Sequence, residues 1–331
     1  MADLFSLAAT QEAQGRRRQM LRTAFGATIA AALADPAVLE VMLNPDGKLW
    51  IDRATNGRTD SGVRIASTEA ERIIRLVASH VRREVNDKAP IVSAELPESG
   101  ERFEGVLPPV SPAPCFSIRK PADVVFRLAD YVGAGIMTPR QAVLLTQAVV
   151  EHRNIVVVGG TSSGKTTLVN ALLAEIALHN ERVVILEDTR ELKCAAQDCV
   201  TLRTKPGVAS LSDLVRSTLR LRPDRIVVGE VRGPEALDML KAWNTGHPGG
   251  ITTLHANSAA AALVRLEQLV QEAVVTVPHA LIAEAVDILV FIHGRGAERR
   301  IESLLELAGL DEDDDYILKP MGAPVLRPVA S

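Results

Sequence analysis

Little in this sequence is aromatic, sulfur-bearing or charged predominantly with one sign. Two Trp, two Tyr and six Phe among 331 residues leave few rings for a base-stacking platform, which argues against single-stranded nucleic acid as a partner. Lys and Arg number 37 against 41 Asp and Glu, a net charge of −4, so no global basic field draws nucleic acid in. Three cysteines, Cys115, Cys194 and Cys199, make no disulfide framework, and the last two lack the second ligand pair of a structural zinc site. They read as small buried hydrophobes in a reducing compartment. No apolar run reaches the roughly 20 residues of a membrane span; Ala24–Leu43 is broken by Gly26, Asp35, Pro36 and Glu40. The opening Met-Ala-Asp-Leu-Phe lacks the basic and apolar regions of a secretory signal. The expectation is a cytoplasmic protein.

What is present suffices for two cores. At roughly 150 residues per domain the length predicts two domains, and 47% hydrophobic with 24% charged residues excludes wholesale disorder. Residues 1–20 form a polar segment ending in Arg16-Arg17-Arg18, read as a solvated helix face or a weak contact for an anionic membrane. Residues 21–130 mix periods: Phe25–Ala34 reads as helix, Lys48–Asp52 as a strand after the Asn44-Pro-Asp-Gly47 turn, and Glu69–Val85 as an amphipathic helix striped with Ile73, Ile74, Val77 and Val81. Pro90–Pro121 breaks into short extended pieces. These predict a smaller α+β N-terminal domain.

Residues 131–138, with Val132-Gly-Ala-Gly135, suggest a linker, and Thr138-Pro139 opens a helix with Thr as cap. From 139 to 331 apolar strands alternate with helices: Asn154–Val158, Thr166–Leu178, Arg182–Leu186, Ser212–Leu221 and Arg225–Val228. That alternation predicts a parallel α/β sheet, followed by a solvated acidic turn at Asp311–Asp315.

Gly159-Gly160-Thr161-Ser162-Ser163-Gly164-Lys165-Thr166 fits G-x4-G-K-[ST], between an apolar strand and a helix that runs on through Thr167. Glycines let successive N–H groups and the helix N-terminus face an anion. Lys165 is expected on the β- and γ-phosphates and the Thr166 hydroxyl on Mg²⁺. The segment predicts binding of a nucleoside triphosphate. Arg225–Glu230 ends a second buried strand in a carboxylate, where a water-activating base belongs. Gly229 stands where many such enzymes carry a metal-binding Asp, so Glu187 and Glu230 are expected to act on the metal only indirectly. Glu187 and Asp188 end a third strand, and together these acids mark the carboxyl edge of the sheet. Gly246–Asn257 reads as a mobile Gly/Pro loop, then a strand lifting His255 to its end, with Asn257 capping the next helix. His255 at that place can sense a γ-phosphate, although a lone histidine is more often structural. His247 keeps the structural reading.

In this order, the phosphate loop, Leu186-Glu-Asp-Thr-Arg-Glu191, Val228-Gly-Glu-Val-Arg-Gly233 and Gly246–Asn257 resemble the secretion ATPase superfamily. Phe116-Ser-Ile-Arg-Lys-Pro121 resembles the segment before that family's linker, and Leu240–Gly250 is similar to conjugal-transfer members of the type IV secretion branch. The chain lacks the tetracysteine cluster typical of type II members. The resemblance implies a RecA-like P-loop NTPase motor domain behind the N-terminal domain, with ATP and Mg²⁺ between the two. It implies a homohexameric ring, peripheral on the cytoplasmic face of the inner membrane, working with the inner-membrane components of a secretion or conjugation apparatus. It casts Glu230 as catalytic, Glu187 as its helper, His255 as sensor and Arg119 as a phosphate ligand from the N-terminal domain. Arg222 is a candidate phosphate arginine, and Arg203, Arg216 and Arg220 are weaker ones.

Three functions fit: an ATPase motor powering pilus assembly and DNA–protein transfer, a nucleotide-dependent assembly platform with little turnover, and a nucleic-acid translocase. The charge balance and the scarcity of rings weigh against the third.

Overall fold

The computed structural model describes residues 19–96, 100–121, 125–205 and 207–322; Arg16-Arg17-Arg18 and the chain end after 322 lie outside them. The chain divides into two compact units, Met1–Asp123 and Val124–Ser331.

The N-terminal unit begins with helix α1 over residues 19–34. Strands β1 (Val38–Leu43), β2 (Lys48–Arg53) and β3 (Gly57–Arg64) follow, then α2 (Ser67–His80), β4 (Ile91–Glu95), β5 (Arg102–Val106) and β6 (Cys115–Arg119). The six strands form one sheet in the order β3-β2-β1-β6-β5-β4, every pairing antiparallel. At the β1–β2 turn Gly47 has φ +79°, and a Cβ there would meet the Ile65 carbonyl at 2.9 Å, so only glycine fits. The stripe Ile73, Ile74 and Val77 of α2 is buried with Ile29, Val41 and Ile118. The helix stops short of the expected Val85 because Arg82 turns left-handed, φ 56°, and Arg83 N–H closes on Ala78 O at 2.9 Å, a Schellman-type end. The proline-rich stretch supplies β4 to β6.

The C-terminal unit runs α3 (Leu128–Gly133), α4 (Pro139–Val150), β7 (Ile155–Val158), α5 (Lys165–Ile176), β8 (Arg182–Glu187), β9 (Asp198–Arg203), α6 (Leu211–Thr218), β10 (Arg225–Val228) and α7 (Glu235–Asn244). It continues through β11 (Ile251–Leu254), α8 (Ala259–Gln271), α9 (His279–Ala285), β12 (Ile288–His293), β13 (Arg300–Leu310) and β14 (Tyr316–Pro320). Its sheet order is β14-β13-β12-β7-β11-β10-β8-β9; β12 to β9 are parallel and the β13–β14 hairpin joins antiparallel. Alternate residues of β7 feed two cores, Val156 and Val158 on one face, Ile155 and Val157 on the other. Both faces are therefore covered, as a parallel sheet requires.

Thr138 caps α4, accepting from Gln141 N–H at 3.2 Å, with Pro139 in the first turn. The stretch proposed as a linker differs from expectation. The division falls at 123/124, and 131–138 is built into the C-terminal unit, where Tyr131 and Met137 are buried with Leu128 and Leu145. The glycines there end a helix instead of freeing a joint. The cysteines are also less hidden than expected: all three are free and only half-buried. Burial and the neighbouring Cys194 push the Cys199 thiol up to about 11. The acidic turn is an exposed β13–β14 connection in which Asp311 accepts from Asp313 and Asp315 N–H, both at 2.9 Å.

Candidate active site

All four residues of β7 are buried, and the chain leaves the sheet at Gly159. Gly164, φ +99°, occupies the N-cap of α5, a backbone state that L side chains resist. Ser162 is also left-handed, φ 62°. Thr161 and Ser162 are exposed at the tip, Gly160 is exposed, and Thr167 is half-buried in the first helical turn. Lys165 is buried, 7% exposed, and its ammonium folds over the loop, donating to Gly159 O at 2.9 Å and Gly160 O at 3.0 Å.

Strand β11 lies between β7 and β10, so His255, just beyond β11, stands between the loop and Glu230. Its Nδ1 is 3.3 Å from Lys165 Nζ, and its Nε2 is 2.9 Å from Glu230 Oε1. Arg232 donates to the other Glu230 oxygen, and that hydrogen bond raises the guanidinium pKa further. Lys165, His255 and Glu230 thus form a row along the carboxyl edge.

Glu187 is buried, 2% exposed. Burial raises its pKa, opposed by the Glu191 and Leu192 N–H groups, which both donate to Oε1 at 2.8 Å. Its Oε2 is buried without a hydrogen-bond partner. Gly229 now has a reason: a Cβ there would approach Glu187 Cγ to 3.2 Å. Any side chain at 229 would therefore press on Glu187.

Two contributors were given no role by the sequence: Glu191, which ends the Leu186–Glu191 motif, and Asn170. Thr166 Oγ1 donates to Glu191 Oε2 at 3.2 Å. Asn170, buried in α5, donates to Glu191 O at 3.2 Å and accepts from Lys193 N–H at 2.8 Å, tying the β8–β9 connection to the helix. The helical spacing of Asn170 from Thr166 is the only hint. Among the described residues no three His, Cys, Asp or Glu gather as a metal cage. A hydroxyl beside carboxylates is nonetheless the hard-oxygen set that suits Mg²⁺, which keeps waters and phosphate oxygens as its other ligands. The orphaned Glu187 oxygen fits the same chemistry.

Other candidates stand elsewhere. Arg222 is exposed in the turn before β10, at the opposite strand end from Glu230. Arg216 pairs with Asp238 at 3.1 Å on the exposed side of α6, and Arg220 is exposed beyond it. Arg203 reaches the carboxyl edge, in register with Glu187. Asp188 accepts from Thr204 Oγ1 at 2.8 Å. Arg119 closes β6 in the N-terminal unit, exposed and in register with Glu40 and Arg102. His247 lies before β11, 3.2 Å from Pro223 O, a structural contact. The Gly249-Gly250 pair is buried, not a mobile loop. A Cβ at 249 would meet the Arg225 guanidinium at 2.7 Å, and one at 250 the Trp243 indole at 2.0 Å. Ser258, not Asn257, caps α8, accepting from Ala261 N–H at 3.0 Å.

The family model for type II/IV secretion system proteins matches residues 26–293. The chain belongs to this family of secretion ATPases. It is 48% identical over 291 residues to the conjugal transfer protein TrbB of Rhizobium radiobacter, covering 87% of this chain and 90% of that protein. To the type IV secretion system protein VirB11 of Bartonella quintana it is 32% identical over 284 residues, 74% of this chain and 79% of the other. Among solved structures, the pilus retraction motor PilT with bound ADP shares the fold at TM-score 0.58 and 18% identity, over 90% of this chain and 83% of its own. The family's two-domain architecture, with a RecA-like α/β unit behind an α+β unit, is the one seen here. Among the described residues no helix is long and apolar enough to cross a membrane.

Proposed function

We propose that this secretion ATPase hydrolyses ATP with Mg²⁺ to drive a type IV secretion or conjugal-transfer machine. The Lys165–His255–Glu230 row beside a complete phosphate loop is the observation that carries the reading. The loop's N–H groups and Lys165 hold the phosphates. Glu230 orients and deprotonates the attacking water, Glu187 with its unpartnered Oε2 helps to polarise water or metal, and Thr166 with Glu191 would hold the metal. A magnesium ion held there would supply neutralisation of the phosphate charge. His255, touching both Lys165 and Glu230, senses whether the γ-phosphate is there.

Partners in a secretion apparatus are supported by the TrbB and VirB11 relatives, named as conjugal transfer and type IV secretion system proteins; the ring and the peripheral place on the inner membrane rest on the family resemblance alone. The role of Arg119 rests on the family resemblance alone. Arg222, remote from its own chain's acids, serves only if presented to another copy. Conjugative transfer complemented by wild type, Lys165→Ala and Glu230→Gln chains tests the reading. A motor loses transfer in both variants, whereas a platform keeps it in Glu230→Gln, which still binds nucleotide.

A further inference from the structure

The end of β12 and the turn that follows it lie along the phosphate loop and meet it at three points, one from the strand and two from the turn. The Ile292 carbonyl stands 2.5 Å from where a Cβ on Gly159 would sit. Arg295 Nε donates to Thr161 O at 3.2 Å. The Arg299 side chain crosses Gly164: its Nε, Cζ and Cδ lie 3.0, 3.2 and 3.3 Å from the position a Cβ would take. The turn is shaped for this. Gly294, φ +82°, leaves no room for a Cβ, which would meet Glu298 O at 2.2 Å, and a single 3₁₀ turn over Gly296–Glu298 brings Arg295 and Arg299 onto the loop together.

Gly164 is therefore constrained twice, by its left-handed φ and by the arginine laid against it. The Arg299 Nε is buried with no hydrogen-bond partner. A permanently charged fork held with a buried, unanswered N–H favours an anion close by. The neighbouring N–H groups of Gly164 and Lys165 open α5, where phosphate is stabilised. The charge is felt locally, since it draws the Tyr131 phenol downward although burial, the larger effect, raises it.

We propose that Arg299 is a positioning residue of the nucleotide site, supplied by the same chain through the β12–β13 turn. It holds Gly164 in its left-handed state and adds fixed positive charge beside the groups that take a nucleoside polyphosphate, while Arg295 latches the turn to the loop's tip. The inference rests on the nucleotide-binding reading above.

The test measures equilibrium binding of ADP and ATP to the full chain at about 0.05 and 0.5 M salt, for wild type, Lys165→Ala, Arg299→Met and Arg299→Lys, with thermal unfolding of each. Arg299→Met keeps the stem without the charge and is expected to bind about tenfold more weakly, with a shallower salt dependence and an unchanged unfolding midpoint. Arg299→Lys is expected to recover to within about threefold of wild type. If Arg299→Met matches wild type in affinity and salt dependence, or if Arg299→Lys recovers nothing, the inference is overturned while nucleotide binding stands. If wild type binds no better than Lys165→Ala, the nucleotide-binding reading itself fails, and this inference with it.

Discussion

His255 Nε2 lies 2.9 Å from Glu230 Oε1, and the Lys165 ammonium lies beside the same ring, 3.3 Å from Nδ1 and 3.4 Å from Nε2. One imidazole thus links the cation that holds phosphate to the carboxylate that handles water. It does so because β11 is inserted between β7, which runs into the phosphate loop, and β10, which ends just before Glu230. Replacing it with alanine removes the link and leaves the phosphate loop intact. His255→Ala is expected to lower kcat by about 10² with little change in KM for ATP, read from steady-state hydrolysis.

Glu230 itself contributes through its charge. Glu230→Gln keeps the shape and is expected to reduce kcat by about 10²–10⁴ while nucleotide affinity stays within about threefold of wild type. Paired binding and single-turnover measurements separate the two effects.

Glu187 carries a stability cost that depends on pH. Burial raises its pKa above the ordinary 4.5, so the folded chain binds more protons than the unfolded one between those two values. Stability is then lost as pH rises through that window and stays lost above it. Glu187→Gln is expected to unfold at a higher temperature than wild type at pH 7–8, the gap closing as pH falls toward 4. Thermal unfolding across that range checks the sign, and a gap that widens in acid contradicts it.

A side chain at Gly229 would crowd Glu187, which would have to give way by a few tenths of an ångström. Restoring an acid there with Gly229→Asp is expected to impair hydrolysis, since the new side chain would press on Glu187 Cγ, already 3.2 Å from a Cβ. Gly229→Ala, the smaller intrusion, is expected to lose less. ATPase assays on the two variants check the order.

Far from the chemistry, Arg225 is 1% exposed. It donates to Glu181 and to Val149 O at 2.7 Å. Burial opposes ionisation of Glu181, yet the Arg225 hydrogen bond holds its pKa below the usual range. Glu181→Ala leaves a buried guanidinium without its carboxylate and is expected to cost about 3–5 kcal/mol of stability, measurable by denaturant titration.

The phosphate loop, the apolar strands and the acids at their ends were legible because each depends on local pattern: Gly159–Thr166 on loop geometry, Ile155–Val158 and Arg225–Val228 on uninterrupted burial. Long-range packing was not legible. Gly249 and Gly250 read as a mobile loop, but they are glycine because Arg225 and Trp243 crowd them. Residues 131–138 read as a linker because Gly133 and Gly135 break helices, yet Tyr131 is buried in the C-terminal core. Arg222 neighbours Arg225 in sequence and still falls at the wrong strand end for Glu230. Asn170 and Arg299 join the site through contacts between segments 21 and 135 residues apart, and no local motif announces them; Glu191 ends a motif, but its contact with Thr166, 25 residues away, does not show in the sequence.

The most direct test of the account is Mg²⁺-dependent ATP hydrolysis by the full chain across a protein dilution series, with Lys165→Ala beside it. Turnover is expected to vanish in Lys165→Ala, and specific activity to rise with concentration as copies associate. Nucleotide binding without hydrolysis at any concentration, or hydrolysis that survives loss of Lys165, would contradict it.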